Sequence, residues 1–319
     1  MTIFLFILGF IALIKGADYL VDGSASIAKK FNISNIVIGL TIVAFGTSAP
    51  ELIVNILASM KGSSDLAISN IIGSNIANIF LILGVTSLIY PLKVKSNSVW
   101  KEIPLSLLSV VLLFFMVNDV MFDGAAVNSL TRIDGVCLLA FFIIFMYYSF
   151  GMAKSGVDGE SEKVEELSSA KSTVYVLLGL VGLAIGGKWI VDGAIYIASM
   201  FNMPESVVGL TVVAIGTSLP ELATSVTAAM KHNADIAVGN TVGSNIFNVF
   251  WILGLSSLVA PIPFAGGASQ YDLMVAIIAS FLLFAFMFFG KKHVLQRSQG
   301  ALFLVIYFGY MTYTVINAI

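Results

Sequence analysis

Glu51 and Glu221 each fall near the middle of a long apolar stretch. An ionised carboxylate at that depth in hydrocarbon costs about 3 kcal/mol on insertion scales and more in simulations, so such residues normally face a cavity, a partner or an ion. No lysine or arginine lies at comparable depth in the same stretches. The expected counter-charge is therefore a bound cation or a proton, not an internal salt bridge. Gly46, Thr47, Ser48 and Pro50 lead into Glu51, and Gly216, Thr217, Ser218 and Pro220 lead into Glu221. Proline removes a hydrogen bond to the preceding turn and kinks a helix, and backbone carbonyls freed at membrane depth are tolerated where they line a site. Carbonyl, hydroxyl and carboxylate oxygens are hard ligands that suit calcium, magnesium and sodium. Two facing carboxylates would balance one divalent cation.

A second motif adds neutral oxygens. Ser74 and Asn78 are four residues apart, as are Ser244 and Asn248, so each pair shares a helix face. Their hydroxyl and amide oxygens can complete a hydration shell without adding charge. The bland reading of an intramembrane glutamate is a hydrogen bond between helices. Two glutamates at matched positions, in the same hydroxyl-rich context, weigh against it. Most other hydroxyls read as packing glue, as does the Gly182–Gly186 spacing. Asp18, Asp22 and Asp192 lie near span ends and read as interfacial, the acidic run 158–166 as a solvated loop, and Cys137 as a small packing residue.

The elements that must carry these residues follow from composition. Of 319 residues, 58% are hydrophobic and 11% charged, whereas soluble domains run near 25% charged. Lipid is the solvent that accepts this much apolar surface. A net charge of −2 gives no basic field for nucleic acid. No basic residue precedes the first apolar run, so it is expected to stay as a membrane helix. Apolar segments long enough to span lie near 2–22, 36–60, 66–90, 103–121, 132–152, 173–191, 206–230, 236–260, 272–290 and 300–318.

The chain repeats itself at a constant offset of 170 residues. Residues 39–52 overlay 209–222 with 11 of 14 positions identical, and residues 65–80 overlay 235–250. Asp22 and Gly23 meet Asp192 and Gly193, and Pro91 meets Pro261. One offset across separated blocks is a duplication. It divides the chain into a first five-helix repeat, 1–153, a polar linker, 154–171, and a second five-helix repeat, 172–319. One set of alternate loops holds Lys29, Lys30, Lys93, Lys95, Lys101, Lys154, Lys163, Lys171, Lys231, Lys291, Lys292 and Arg297; the other holds only Lys61 and Arg132. The richer set is expected to be cytoplasmic, which puts both termini outside. Because each half has an odd number of spans, the second enters from the opposite side. The expected fold is an all-α polytopic membrane protein whose ten transmembrane helices form two inverted five-helix repeats, a plan common among secondary transporters.

On these residues the chain resembles the sodium/calcium exchanger branch of the calcium/cation antiporters. The resemblance covers both halves, the polar central loop and both copies of the Gly-Thr-Ser-x-Pro-Glu and Gly-Ser-Asn motifs. It implies that Glu51 and Glu221 bind calcium centrally. It implies that Thr47, Ser48, Ser74, Thr217, Ser218 and Ser244, with the carbonyls of Ala44 and Ala214, line calcium and sodium sites, and that the first and sixth helices slide across the other eight. Microbial exchangers of this kind often carry an aspartate where this chain has Asn248. Here both halves have asparagine, leaving two acidic groups.

Rival classes fare worse. An intramembrane enzyme needs a nucleophile with a base or a metal with a water, and both histidines, His232 and His293, fall in predicted loops. A channel could use the same ligands, but inverted halves suit alternating access. The reading is a non-enzymatic antiporter exchanging calcium for sodium, with proton-coupled and potassium-dependent calcium/cation antiport as alternatives. The ions enter as substrates and no cofactor is expected. The expected surroundings are a lipid bilayer, with no obligate protein partner, in a plasma membrane.

Overall fold

The computed structural model describes residues 2–60, 64–154, 167–200, 214–264 and 267–318. In the first half, α1 is Thr2–Lys30, and α2 (Asn35–Ile38), a π-helical stretch Gly39–Val43 and α3 (Ala44–Thr47) lead into α4 (Ala49–Met60). Then come α5 (Ser64–Ile76), a π-helical stretch Ala77–Leu83, α6 (Gly84–Ile89), α7 (Ser96–Trp100), α8 (Glu102–Met116), α9 (Asp119–Phe122) and α10 (Arg132–Lys154). The second half has α11 (Ser169–Met200), α12 (Ala214–Thr217), α13 (Leu219–Met230) and α14 (Ala234–Ile246). It continues through a π-helical stretch Phe247–Leu253, α15 (Gly254–Val259), α16 (Ala268–Phe286) and α17 (Arg297–Ala318).

Among the described residues, 8 helices are long and apolar enough to cross a membrane, and Asn35–Thr47 with Ala49–Met60, bent by 46°, brings the number to 9 if the pair is counted as one span. The expected segment 206–230 lies partly outside the described residues; its described part is α12 and α13. The expected segment 103–121 begins earlier, at Ser96, and ends at Met116. Its helix breaks at Lys101, which the apolar run alone did not reveal.

Burial sorts the spans into layers. The windows in Ala67–Ile89 and Ala234–Val259 are 78% buried, against 17% in Arg132–Ala153, so those two form the centre and carry the Gly-Ser-Asn motifs. The outer helices turn Phe4, Ile133, Ile143, Tyr147 and Val305 outward, the surface that lipid tails solvate without penalty. Cys137, expected to pack between helices, is exposed on α10.

Small residues set the closest approaches. A Cβ on Gly16 of α1 would stand 2.7 Å from the Leu183 backbone nitrogen of α11, and one on Gly179 would stand 2.6 Å from that of Leu20. Gly182 and Gly186 face the same seam, in keeping with their reading as packing residues. Without water to drive association, helices in lipid gain contact by backbone approach of this kind.

Two strand pairs depart from an all-helical plan. β1 (Leu92–Lys93) pairs antiparallel with β4 (Val294–Leu295), and β2 (Ser129–Leu130) pairs with β3 (Ile262–Pro263). Each strand has two residues, too few to show an alternating pattern in the sequence. Each pair joins a loop of the first half to a loop of the second.

The β1–β4 end also gathers charge. Lys231 pairs with Asp22 at 2.8 Å and Asp18 at 3.2 Å, and Lys95 pairs with Asp235 at 2.7 Å. Tyr90 packs edge-on against His232 at 4.6 Å. Asp192 pairs with Lys188 within α11. The three aspartates read as interfacial are thus engaged by lysines. Lys61, Lys163 and the acidic run 158–166 lie outside the described residues.

Candidate cation-binding site

Both glutamates begin helices. The chain leaves helical geometry at Ser48, φ −83° and ψ 7°, and at Ser218, φ −85° and ψ 4°. Pro50 and Pro220 then sit in the first turn of α4 and α13, where a missing N–H costs nothing. The prolines therefore start new helices instead of kinking continuous ones. This places Glu51 and Glu221 in the first turns, where free backbone N–H groups and the helix dipole favour an anion. The same break serves Gly46 and Gly216, whose added Cβ would each stand 2.2 Å from an α11 side chain, Leu180 and Val191 respectively.

Both carboxylates are 0% exposed. Glu51 lies close to Glu221, with the Thr217 and Ser74 hydroxyls alongside. Neither Glu51 oxygen has a hydrogen-bond partner among the described residues. Glu221 Oε1 accepts from Ser48 Oγ at 3.1 Å and Ser244 Oγ at 3.5 Å, while Oε2 is unpartnered. Among the described residues, no ion pair involves either glutamate; the lysine pairs are all with Asp18, Asp22, Asp192 and Asp235.

The motifs cross-connect the halves. Thr47 Oγ1 donates to Asn240 Oδ1 at 3.0 Å, and Thr217 Oγ1 to Asn70 Oδ1 at 3.4 Å. Asn75 Nδ2 donates to the Asn245 carbonyl and Asn245 Nδ2 to the Asn75 carbonyl, both at 3.5 Å. Asn78 Nδ2 donates to Asn245 Oδ1 and Asn248 Nδ2 to Asn75 Oδ1, both at 2.9 Å. The amide hydrogens of Asn78 and Asn248 are thereby held, and their Oδ1 atoms are buried without a partner. Ser74 Oγ accepts from Ser218 Oγ at 3.2 Å and Asn248 Nδ2 at 3.1 Å, so both its lone pairs are engaged. The Ala44 carbonyl accepts the Ser48 amide at 3.0 Å and the Thr47 hydroxyl at 3.4 Å. Ala214 opens α12.

Buried polar atoms are almost always paired. Among the described residues the exceptions include oxygens of Glu51, Glu221, Asn78 and Asn248 on the motifs, and others such as Ser24 Oγ, Thr224 Oγ1 and Trp251 Nε1 outside them. Unpaired acceptors beside two carboxylates are a set of groups that would suit a hard cation. Among the described residues, no group of three His, Cys, Asp or Glu side chains forms, so further ligands to such a cation would have to be hydroxyls, amides and carbonyls. Sequence reasoning missed Asn70 and Asn240, the partners of the two motif threonines. They stand 170 residues apart inside the repeated block, and that identity was the available signal.

A family model described as sodium/calcium exchanger protein matches residues 1–151 and 171–316. The chain belongs to the sodium/calcium exchanger protein family. This family is one of transporters, not enzymes. The exchanger is 33% identical over 338 residues to the sodium/calcium exchanger MaX1 of Methanosarcina acetivorans, covering 96% of each chain. It is 36% identical over 307 residues to the inner membrane protein YrbG of Escherichia coli, covering 93% of this chain and 92% of that one. Among solved structures it resembles the sodium–calcium exchanger NCX_Mj soaked with 2.5 mM Na+ and 0.1 mM Ca2+, with a TM-score of 0.82, 35% identity and coverage of 98% and 97%. The exchanger is thus a multi-pass membrane protein of the cation/calcium antiporter class.

Proposed function

We propose that the exchanger moves calcium against sodium by alternating access, with both ions bound at Glu51 and Glu221. The observation that carries this reading is the pair of fully buried carboxylates, at matched repeat positions, with unpartnered oxygens and, among the described residues, no basic side chain on them. A calcium ion would neutralise both. Thr47, Ser48, Ser74, Asn78 and the Ala44 carbonyl from one half, with Thr217, Ser218, Ser244, Asn248 and the Ala214 carbonyl from the other, would supply the remaining oxygens for calcium and sodium.

The transport frame in this reading is ten spans, with 1–153 and 172–319 as inverted repeats joined by 154–171. Strand pairing supports it. β2 precedes α10 and β3 follows α15, and the two pair, so both loops share one face. Helices α10, α11 and the 234–259 span make three crossings between them, and parity needs a fourth, which falls to the stretch that ends in α12 and α13. At the other end, α1 reaches Lys231 through Asp18 and Asp22, and Lys231 adjoins the Tyr90–His232 contact beside β1. The stretch 35–60 must then cross, as 67–89 does. The lysine bias puts the β1–β4 end in the cytoplasm and both termini outside, in a plasma membrane.

The test is calcium-45 uptake into proteoliposomes loaded with sodium, potassium or choline, or given a pH gradient. Sodium loading alone should drive uptake, and Glu51→Gln and Glu221→Gln should each abolish it. Uptake driven by the pH gradient and not by sodium would make the proton the coupling ion. Uptake that ignores every gradient would refute exchange.

A further inference from the structure

The two repeat-related seams flanking the central site differ in a way the duplication does not require. On α4, Glu51, Asn55 and Ser59 recur at every fourth position, so they share one helix face. They climb about 12 Å from the centre toward the helix end. Asn55 is 0% and Ser59 is 5% exposed. Asn55 donates to the Glu51 carbonyl at 3.2 Å, yet its Oδ1 has no partner, and neither does Ser59 Oγ. A helical serine ordinarily bonds back to the carbonyl four residues earlier; Ser59 does not. Helix α4 packs against α15, where Ser256, 0% exposed, also carries an unpartnered Oγ.

The counterpart seam lies between α13 and α6; Thr224 Oγ1 of α13 is buried without a partner, but the oxygens at the positions matching Asn55 and Ser256 are taken. Ser225, at the position matching Asn55, accepts from Asn240 Nδ2 at 3.0 Å and lies 3.3 Å from Thr241 Oγ1. Ala229 stands where the first half has Ser59, and Thr86, matching Ser256, donates to the Ile82 carbonyl. The matched positions are satisfied on one seam, and on the other they offer neutral oxygens in a row that begins at Glu51. Burying such atoms unpaired is costly, and a row of them pointing to one role is not a packing solution.

We propose that the α4–α15 seam, through Asn55 Oδ1, Ser59 Oγ and Ser256 Oγ, is a staging site for a hard cation on its way between Glu51 and the β2–β3 face. Amide and hydroxyl oxygens replace part of the hydration shell without a charge that would trap the ion. The site deepens the antiport reading and rests on it.

The test uses the full chain with Cys137→Ser, in oriented membrane vesicles, carrying Asn55→Cys, Ser59→Cys or Ala229→Cys. A membrane-impermeant cationic methanethiosulfonate is applied to each face, and labelling is read by mass spectrometry with sodium, calcium or choline present. Asn55→Cys and Ser59→Cys should label from the β2–β3 face only, and sodium or calcium should slow labelling by about tenfold or more. The protecting ion identifies the occupant. Ala229→Cys should not label from that face. Ser59→Cys that is inert from both faces, or labels equally fast in all three salts, overturns the proposal. Ser59→Ala should raise the cation concentration for half-maximal uptake several-fold with the maximal rate kept; an unchanged value also overturns it. If the Cys137→Ser parent fails to exchange calcium while Ser59→Cys labelling is still cation-protected, the antiport reading fails and the site stands.

Discussion

Glu51 and Glu221 are the same residue in the same motif, yet their surroundings differ. Glu221 receives two serine hydroxyls, and Glu51 receives none. A buried carboxyl group with no hydrogen-bond partner weighs against stability more than a partly bonded one. In calcium-free detergent, Glu51→Gln should therefore stabilise the protein by roughly 1–3 kcal/mol, more than Glu221→Gln does. Calcium at a hundredfold its dissociation constant should stabilise the parent by about 2.7 kcal/mol and neither variant. Thermal unfolding with and without calcium checks both; a Glu51→Gln protein less stable than its parent without calcium would contradict this account. The glutamates were legible because charge in an apolar run has few explanations. Asn70, Asn240 and Asn55 were not, because an amide on a membrane helix has an ordinary packing role and its partner is set by which helix approaches.

At the scale of the element, the break in each motif helix was legible from Gly and Pro, but its place was not. The turn falls at Ser48 and Ser218, before each proline. The π-helical stretches left no trace in the sequence, since a helix buried all round has no amphipathic rhythm to shift. The α1–α11 seam makes a sharper claim. Backbone atoms stand where a Cβ on Gly16 or Gly179 would go, so no side-chain rotation relieves the clash and the helices must part. If these two helices carry the movement that the family resemblance implies, Gly16→Ala and Gly179→Ala should cut the uptake rate about tenfold or more. Gly309→Ala, with nothing within 4 Å, should not. Vesicle uptake at matched protein amounts measures this; full rate in Gly16→Ala would show that the seam tolerates separation.

At the scale of the whole molecule, the helical membrane fold was legible from composition and the duplication from one offset, while the strand pairs that tie the halves together were not. The halves meet along α1–α11, along α10–α15 and α6–α17, and at both strand pairs. Of the linker's described residues, Leu167 N donates to Ser26 Oγ at 3.0 Å, a contact that a chain beginning at 167 keeps. Chains 1–154 and 167–319 produced as separate polypeptides should therefore co-purify and exchange calcium at a rate within a few-fold of the intact protein, and failure to co-purify would give the linker a structural role.

The strand pairing is nested, β2 with β3 inside β1 with β4. Synthesis runs from the N-terminus, so the loop holding β1 emerges early and finds its match only when the stretch before the final helix appears. Closing such long loops late is slow. The first half must wait in the bilayer with its loop backbone unmatched, and a chain stopped short of β4 leaves the outer pair unformed. Maturation of this exchanger is then gated by the stretch just before its last helix, and nascent chains short of it are the form that quality-control proteases would meet.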